Sequence, residues 1–292
     1  MLPAEQVPGV YHRRVGDTLV TALSDGYLDA SCDVFRNLSE DEAKAVLVGG
    51  LQPYPPRISV NAFLVRSGGR TAIVDTGSSD CMGDTLGQLP KNMAAAGVAP
   101  EDVDTVLLTH MHPDHSGGLI DPAGNAFFPN AEVVVGEADY KLWHDDAIAA
   151  AVDERRRKRY FTWSRAHVAP YRDRLRWTPA AGGEVLPSVT TVPLPGHTPG
   201  HTGYLITSGG DSLLIWGDTV HVPGIQVPRP DTTMVFDWDP EGAIASRRRI
   251  LEMVSAEEIP VAGMHVHFPG FANVARDGGS YRIVQEGWAH TV

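Results

Sequence analysis

The sequence is poor in cysteine and contains no long hydrophobic run. Its two cysteines, Cys32 and Cys81, are too few for a disulfide framework and do not form a Cys-x-x-Cys pair, so we expect two ordinary thiols. No stretch approaches the roughly eighteen apolar residues that a membrane span requires. Residues 1–16 also lack the basic and apolar regions of a secretory signal. We therefore predict a cytoplasmic protein without a membrane partner.

Basic residues are outnumbered by acidic ones. The chain has 24 lysines and arginines against 36 acidic residues, which gives a formal net charge of −12. This charge repels a phosphate backbone, so we expect no nucleic-acid partner. The sequence also lacks an internal repeat with a period of roughly 20 to 50 residues, which excludes a solenoid.

The hydrophobic residues that are present suit an α/β fold. Val, Ile, Thr and Phe are concentrated in the short predicted strands of residues 18–28 and 59–77, which glycines interrupt. Residues 84–98 have a helical pattern interrupted by Pro90, and residues 103–110 form an almost entirely apolar strand. This order of strand, helix and strand is typical of an α/β sandwich.

The second half of the chain repeats the alternation of strands and helices. Residues 131–143 predict a strand and then a helix, and residues 137–177 predict a helical insertion rich in charged and aromatic residues. Further strands follow at residues 190–218. We therefore expect two halves, each of strands with helices outside, in one domain over residues 1–292. Residues 1–55 are expected to form an N-terminal arm.

The densest cluster of polar groups is THMHPDHSGG, residues 109–118, at the end of the apolar strand. It contains His110, His112, Asp114 and His115. Zinc prefers imidazole and carboxylate ligands at about 2.0 to 2.2 Å, and a strand end is a rigid platform for them. Because alternate residues of extended backbone point the same way, His110 and His112 can share one ion. Asp114 and His115 lie beyond the turn and can reach a second ion.

Four donors cannot fill two coordination spheres, so a dinuclear site needs further ligands. The sequence offers three more candidate donors at other strand ends, namely His197, Asp218 and His265. An apolar run precedes each of them. This recurrence predicts a site with two metal ions.

In order and spacing, THMHPDHSGG, GHTPGH, WGD and GMH resemble the motifs of the metallo-β-lactamase fold hydrolases. The resemblance covers most of the chain and implies an αββα sandwich with a helical insertion over the active site. It implies one ion bound by His110, His112 and His197, a second ion bound by Asp114, His115 and His265, and a bridging Asp218. The family pattern and the preceding strand favour His265 over His267 as the final ligand.

Three further segments, ALSDG, WGDTVHVPGIQ and HVHFPGF, resemble the branch that contains methyl parathion hydrolase, near the acyl homoserine lactone lactonases. The lactonases have a tyrosine three residues after the bridging aspartate, where it assists the substrate carbonyl. This chain has His221 at that position, which favours the methyl parathion hydrolase branch. We expect His221 to be a weak ligand, a proton donor to the leaving group or a wall of the pocket.

The ligand set implies hydrolysis by a metal-bridging hydroxide. Two divalent ions about 3.5 to 4 Å apart lower the pKa of bound water to about 7 and polarise the bond under attack. A serine nucleophile is not indicated, because the sequence lacks a Gly-x-Ser-x-Gly motif. We therefore predict a hydrolase for a neutral, largely apolar ester, lactone or phosphotriester of small size. Zinc is the expected metal, and manganese, cobalt and iron also accept this set.

Other polar residues are expected to support the site. We assign catalytic roles to Asp114, as a ligand, and to Asp75, which follows another strand. A carboxylate near ligating imidazoles fixes their tautomer, and the alternative for Asp75 is a turn-forming role. His201 is expected to support its loop by hydrogen bonding. Four histidines lack metal-ligand spacing and are predicted to be ordinary surface residues: His12, His144, His167 and His290.

By resemblance, the helical insertion covers the metal site. Its aromatic residues Trp143, Phe161 and Trp163 suit the wall of a pocket for a hydrophobic substrate, although packing onto the sandwich explains any one of them equally well. We favour Trp143 and Phe161 as pocket residues. Met82 and Phe268 are weaker candidates from loops.

The basic run RRRKR, residues 155–159, is an exception to the acidic balance of the chain. Five consecutive charges on a helix point in all directions, so a solvated, salt-bridged or dimer-facing surface is expected. A binding site for an acidic ligand is the alternative. By resemblance, residues 1–55 contribute to the interface of a homodimer.

A non-haem iron oxidoreductase is the main alternative function, because relatives with this fold carry out oxygen or sulfur chemistry. Those with a flavin-linked di-iron site have glutamate where this chain has His112, and a persulfide-oxidising type uses fewer ligands. The complete set of seven donors disfavours both, and it also disfavours a binding protein that has lost its metals. A nuclease would need a basic face, which the net charge of −12 disfavours.

Overall fold

The described part of the chain contains two sheets in which the spatial order of the strands follows the chain. A computed structural model describes residue 3 and residues 5–292. The first sheet consists of β1 (Val10–Val15), β2 (Thr18–Asp29), β3 (Arg57–Ser67), β4 (Arg70–Val74), β5 (Thr105–Leu107), β6 (Glu132–Val135) and β7 (Leu175–Trp177). The second sheet consists of β8 (Glu184–Leu186), β9 (Val189–Pro193), β10 (Thr202–Ser208), β11 (Asp211–Ile215), β12 (Val261–Ala262), β13 (Phe271–Asp277) and β14 (Ser280–Gln285).

Helices connect and cover these strands. The α-helices of the described residues are α1 (Glu40–Gly49), α2 (Leu89–Ala95), α3 (Pro113–Ser116), α4 (Glu137–Trp143), α5 (Asp146–Ala151), α6 (Glu154–Arg156), α7 (Trp163–Val168), α8 (Pro223–Gln226) and α9 (Pro240–Ala256). Residues Arg157–Thr162 form a π-helical segment between α6 and α7. This geometry is rare in proteins, and where it occurs it is often at a functional site. None of the described helices has both the length and the apolar character needed to cross a membrane.

The strand directions determine where chain segments meet. Strands β1 to β4 are antiparallel neighbours, whereas β4, β5, β6 and β7 run parallel. In the second sheet β11 and β12 are parallel, because α9 carries the chain back between them. The carboxyl ends of β4 and β5, and those of β11 and β12, therefore lie at the same edge of their sheets.

Three apolar layers hold the architecture together. The sheets pack against each other through side chains from both, including Phe63, Tyr204 and Phe271. The outer face of the first sheet packs against α2 and the helices between β6 and β7, through residues such as Leu89. The outer face of the second sheet packs against α9 through residues such as Ile250. Helices outside two packed sheets are the predicted αββα sandwich, so the fold class is confirmed.

Two predicted elements differ from the structure. The helix predicted over residues 84–98 begins only at Leu89, and Pro90 lies in its first turn, where a backbone N–H would have no helical partner. The helical insertion predicted over residues 137–177 ends before β7, which pairs with β6. The N-terminal arm predicted over residues 1–55 includes β1 and β2, which belong to the first sheet.

Candidate metal centre

Four strand ends bring polar residues to one edge of the sandwich. The parallel strands β4 and β5 end shortly before Asp75 and His110, and the parallel strands β11 and β12 end shortly before Asp218 and His265. The carboxyl ends of neighbouring parallel strands lie at the same sheet edge, where ligands commonly bind. Residues that are far apart in the sequence therefore meet at this edge.

The first cluster consists of His110, His112, His197 and Asp218. Nε2 of His197 lies 3.2 Å from Nε2 of His110 and 3.0 Å from Nδ1 of His112. Oδ2 of Asp218 lies 3.3 Å from Nε2 of His197 and 3.6 Å from Nε2 of His110. All four side chains are buried, and their ligand atoms are close enough to hold one metal ion.

The second cluster consists of Asp114, His115 and His265. Helix α3 carries the first two residues, and Oδ2 of Asp114 lies 3.6 Å from Nε2 of each histidine. Oδ1 of Asp218 lies 3.2 Å from Nε2 of each of the same histidines. Asp218 therefore lies between the clusters and is near ligand atoms of both. The structure brings together all seven residues that the sequence offered as donors.

Two buried atoms at this junction have no hydrogen-bond partner among the described residues. They are Nε2 of His115 and Oδ1 of Asp218. An unsatisfied buried polar atom costs about 1 to 3 kcal/mol, so such an atom needs a partner. A divalent cation satisfies both atoms, because imidazole nitrogen and carboxylate oxygen are among its preferred ligands.

The spacing of the nitrogens also fits a metal ion. Ligands about 2.0 to 2.1 Å from a tetrahedral zinc ion lie about 3.3 Å from one another. In the first cluster the ligand nitrogens of His110 and His112 lie 3.2 and 3.0 Å from that of His197. The residues present therefore fit a divalent metal ion, and the clusters support metal binding by this chain.

Three members of the first cluster, His110, His112 and Asp218, have protonation states that suit a metal, whereas the pKa of His197 is raised to about 9, so this residue must lose a proton on metal binding. Burial, together with the neighbouring imidazoles, holds the pKa values of His110 and His112 well below the usual range for histidine. Burial raises the pKa of the Asp218 carboxyl, but the surrounding histidines outweigh it and hold that pKa well below its usual range. Neutral imidazoles and an ionised carboxylate are the forms that bind metal ions.

Asp75 contacts the candidate ligand His115 through Nδ1, the ring nitrogen that does not face the cluster. Its Oδ2 lies 2.7 Å from Nδ1 of His115. The same carboxylate accepts hydrogen bonds from the backbone N–H and the hydroxyl of Thr109, each at 2.7 Å. Asp75 is thus placed to orient the His115 ring, and it also ties the end of β4 to the loop that follows β5.

Asp237 contacts Nδ1 of His197 in the same way, and the sequence did not indicate this residue. Its Oδ1 lies 2.8 Å from Nδ1 of His197, and its Oδ2 accepts a hydrogen bond from the backbone N–H of Met234 at 2.8 Å. Burial lowers the pKa of His197, but Asp218 and Asp237 outweigh it and raise that pKa to about 9. Asp237 lies 40 residues from His197 in a loop rather than at a strand end, so no local pattern indicated it.

Two further hydrogen bonds orient the donors. Nδ1 of His265 donates to the carbonyl oxygen of Ser59 at 2.8 Å, which leaves Nε2 for the cluster. Nε2 of His201 accepts from the backbone N–H of Asp218 at 2.9 Å, and its Nδ1 donates to the Leu194 carbonyl at 3.0 Å. Both ring nitrogens of His201 are therefore occupied, so this histidine supports its loop, as predicted.

His221 lies against the residue between the two clusters. Its Nε2 is 2.9 Å from Oδ2 of Asp218, and its backbone N–H donates to Oε1 of Gln226 at 2.7 Å. Its Nδ1 is buried without a hydrogen-bond partner among the described residues. Burial lowers the pKa of His221 to about 4 despite the neighbouring Asp218. The neutral ring can bind a metal beside Asp218 and His265 or exchange a hydrogen bond with a bound molecule.

A cavity of about 1090 Å³ lies over both clusters and has an aromatic wall. The wall contains Trp143, Tyr160, Phe161 and Trp163 from the insertion and Phe236 and Trp238 from the loop before α9. Met82 also lines the cavity, as does Cys81, which like Cys32 is a free thiol. Phe268 does not, so its assignment to the pocket was wrong. It is 36% exposed, because the chain turns toward β13 directly after the His265 loop.

A further part of the cavity wall comes from the end of β2 and the segment between β2 and α1, which the sequence did not indicate as pocket residues. Leu28, Val34 and Arg36 of this segment line the cavity. Nε of Arg36 donates to the carbonyl oxygen of Met234 at 2.8 Å, which fixes this segment to the loop that carries Asp237. The pocket is therefore built from both ends of the chain.

The basic run does not point wholly to solvent. Arg155, Arg156 and Arg159 line the cavity, whereas Arg157 and Lys158 are exposed and do not. Arg159 is partly buried. The expectation of a solvated, salt-bridged or dimer-facing run does not hold at this residue, which lies in the π-helical segment Arg157–Thr162 and lines the cavity.

His167 is buried, so its prediction as a surface residue was wrong. Its Nδ1 lies 2.9 Å from the hydroxyl oxygen of Ser116, the last residue of α3. Burial lowers the pKa of His167 to about 4. The residue therefore packs the insertion onto the turn that carries Asp114 and His115. Of the other three histidines, His290 is exposed and His12 and His144 are partly buried.

Comparisons with known sequences bear on this site. Residues 55–261 match the family model described as the Metallo-beta-lactamase superfamily. An N-acyl homoserine lactonase of Bacillus thuringiensis is 28% identical over 164 residues, which are 56% of this chain and 55% of that protein. The matched region spans about half to two thirds of the length of such curated relatives.

Solved structures extend the match over nearly the whole chain. The hydrolase AbOPH, of the beta lactamase superfamily, is 32% identical and has a TM-score of 0.91 over 98% of this chain and 100% of that one. The dizinc quorum-quenching lactonase AidC, solved with the product N-hexanoyl-L-homoserine, has the same fold. It is 24% identical and has a TM-score of 0.90 over 98% of this chain and 100% of that one. Together with the matched family model, the fold and the two clusters, these findings confirm the resemblance, and the chain belongs to the metallo-beta-lactamase superfamily.

Proposed function

We propose that this protein is a dinuclear metal-dependent hydrolase that cleaves an ester, lactone or phosphotriester whose reacting group is uncharged. The observation that carries the proposal is the junction of the two clusters, where Nε2 of His115 and Oδ1 of Asp218 are buried without another partner. The relatives named as a lactonase and as a hydrolase support the same type of reaction.

The proposed ions are zinc, held by residues that already lie together. One ion would be held by His110, His112 and His197, the other by Asp114, His115 and His265, and both by Asp218. When bound, such ions supply Lewis-acid polarisation of the substrate oxygen and a lowered pKa for water. For an ester, the oxygen of water bonds to the acyl carbon, the bond to the leaving oxygen breaks, and an acid and an alcohol result.

The residues behind the clusters hold the imidazoles in place. Asp75 and Asp237 each accept a hydrogen bond from Nδ1 of a histidine, so that Nε2 of that histidine faces the site. Nδ1 of His221 has no hydrogen-bond partner within the described part of the chain, and we assign to it the exchange of a hydrogen bond with the substrate or its leaving oxygen. This role would replace that of the lactonase tyrosine.

The cavity supports a small molecule with a large apolar part. Its aromatic wall lies close to the clusters, since the ring centroid of Tyr160 is 4.9 Å from that of His112 and the ring centroid of Trp143 is 5.5 Å from it. Aromatic walls exclude water and contact flat apolar groups. An aryl ester or an aryl phosphotriester therefore fits better than a strongly polar substrate.

The proposal is tested by initial rates on protein of known metal content. An acyl homoserine lactone, an aryl carboxylate ester and a neutral aryl phosphotriester are compared side by side, and His112→Ala serves as the control for metal-dependent turnover. We expect the aryl ester or the phosphotriester to be fastest. A lactone that leads by orders of magnitude would instead assign the protein to lactone opening. Turnover of none of the three above the His112→Ala rate would refute the proposal.

A further inference from the structure

Arg159 is a charged residue of the cavity wall that lacks a charged partner. Its side chain is partly buried, and its Nε is buried without a hydrogen-bond acceptor among the described residues. Its Nη2 donates to the sulfur atom of Met82 at 3.7 Å, and a thioether sulfur is a weak acceptor. No carboxylate of the described residues lies within ion-pair distance of it.

Arg159 lacks a carboxylate partner among the described residues although the chain contains many carboxylates. The sequence contains 36 acidic residues, and Arg156, three residues earlier in the same run, has its Nε 3.8 Å from a carboxylate oxygen of Asp153. An unsatisfied buried donor on a charged group is more costly than a neutral one, so such groups are usually paired. Arg159 thus presents an unpaired guanidinium to a cavity that an outside molecule can enter.

Most acidic groups that line the same cavity contact another side chain, and Asp33, which is exposed, is the exception among the described residues. Asp237 contacts His197 at 2.8 Å, Asp29 contacts Arg57 at 2.7 Å, and Oδ2 of Asp218 contacts His221 at 2.9 Å. Two more cations of the run, Arg155 and Arg156, lie on the same wall as Arg159. This wall is therefore positively charged in a protein whose net charge is −12.

Tyr160 is close to both the first cluster and Arg159. Its ring centroid lies 4.9 Å from that of His112 and 5.7 Å from Cζ of Arg159. An aryl group packed against Tyr160 would have its reacting bond at the clusters and its far substituent near the guanidinium.

We propose that Arg159 binds an anionic substituent of the substrate, remote from the bond that is cleaved. This inference rests on the proposed function and narrows its substrate class to aryl esters that carry a carboxylate or sulfonate group. A planar guanidinium binds both groups through two parallel hydrogen bonds, which also orient the ligand. The sequence predicted a neutral, largely apolar substrate, and this inference departs from it, because the reacting group stays uncharged but a remote substituent carries a negative charge.

The test compares two aryl acetates of similar shape and different charge. They are 4-acetoxybenzenesulfonate and 4-(methylsulfonyl)phenyl acetate. A sulfonate is a weak metal ligand, so its effect reports on the cationic wall rather than on the clusters. The ratio of kcat/KM for the anionic and the neutral ester is measured for the native, metal-loaded protein, Arg159→Gln, Arg159→Lys and Arg157→Gln. Differences in chemical reactivity between the esters cancel when the ratios of two variants are compared.

Arg157→Gln is the matched control, because it removes the same charge two positions away on an exposed side chain. We expect Arg159→Gln to lower the ratio by roughly 10- to 100-fold, mainly through KM of the anionic ester, as for the loss of a charge-assisted hydrogen bond. Arg159→Lys should recover part of the loss, and Arg157→Gln should stay within about twofold of the native ratio. A ratio that is unchanged in Arg159→Gln, or that falls equally in Arg157→Gln, overturns the inference.

A binding measurement separates this inference from the proposed function. Calorimetric titration with 4-hydroxybenzenesulfonate and with 4-(methylsulfonyl)phenol requires no turnover. Tighter binding of the sulfonate to the native protein and to Arg157→Gln, but not to Arg159→Gln, supports the anion site even if neither ester is hydrolysed. Equal binding of both compounds to all variants refutes it even if both esters are hydrolysed.

Discussion

Replacing Asp237 by asparagine should weaken the binding of one of the two proposed metal ions. The carboxylate contacts Nδ1 of His197 at 2.8 Å and the backbone N–H of Met234 at 2.8 Å. Burial raises the pKa of Asp237, but the hydrogen bond with His197 outweighs it and lowers that pKa, so the group is an anion in the fold. Asparagine keeps the size of the side chain and loses its charge.

The expected magnitude follows from the number of acceptors. An asparagine side chain has one oxygen for the two donors that Asp237 satisfies, so His197 loses either its orientation or part of its basicity. Loss of such a hydrogen bond to a ligating histidine typically weakens metal binding by about 10- to 100-fold, or about 1.4 to 2.7 kcal/mol. The effect should be confined to the ion near His110, His112 and His197, because Asp75 supports the other cluster.

Competition with a chromogenic chelator measures the affinity of each ion in the native protein and in Asp237→Asn. Asp231→Asn is the control, because Asp231 lies on the same loop and pairs with Arg248 at the surface. We expect one weakened ion in Asp237→Asn and two native affinities in Asp231→Asn. Two native affinities in both variants would contradict the role of Asp237. Asp237→Asn could also lose as much thermal stability in the chelated protein as in the metal-loaded protein. That result would contradict the role as well, because Asp237 would then support only the fold.

Three further outcomes can be checked by unfolding experiments. The pKa of His167 is about 4 against an ordinary 6.5, so the unfolded chain takes up a proton first and stability should fall by about 3 kcal/mol as the pH decreases from 6.5 to 4. Urea unfolding of His167→Asn should lack this part of the pH dependence, and an unchanged slope, or an equal change in the exposed His290→Asn, would contradict the reasoning. Gly217 has φ of +56°, and a Cβ there would lie 2.3 Å from Nε2 of His201, whereas Gly278 has φ of +57° and nothing within 4 Å. Gly278→Ala should therefore cost about 1 kcal/mol and Gly217→Ala roughly 3 kcal/mol or more, and equal losses would mean that backbone strain alone matters. Chelation should lower the melting temperature, because an ion that binds only the folded chain stabilises it, and equal melting temperatures with and without metal would argue against metal binding.

Local patterns account for much of what could be predicted from the sequence. Apolar runs of strand-forming residues predicted β3, β5 and β11, since burial on both faces selects such residues. The donors were predictable because they stand directly after these runs. His110, His112, Asp114 and His115 are also close in the sequence, so one short loop and α3 bring them together. The seven candidate donors and Asp75 were therefore accessible from local patterns, whereas the αββα arrangement was implied by the resemblance to the metallo-β-lactamase fold hydrolases.

Contacts between distant segments were decided only by the tertiary structure. Asp237 lies in a loop with no strand before it, and it reaches His197 only because the segment before α9 folds over the edge of the second sheet. His167 looked like a surface histidine because its burial depends on the packing of α7 against α3. Arg159 looked like part of a solvated run, and the π-helical segment turned it into the cavity. Sequence periodicity reports which face of an element is buried, but the partner of a single polar side chain depends on how whole elements pack.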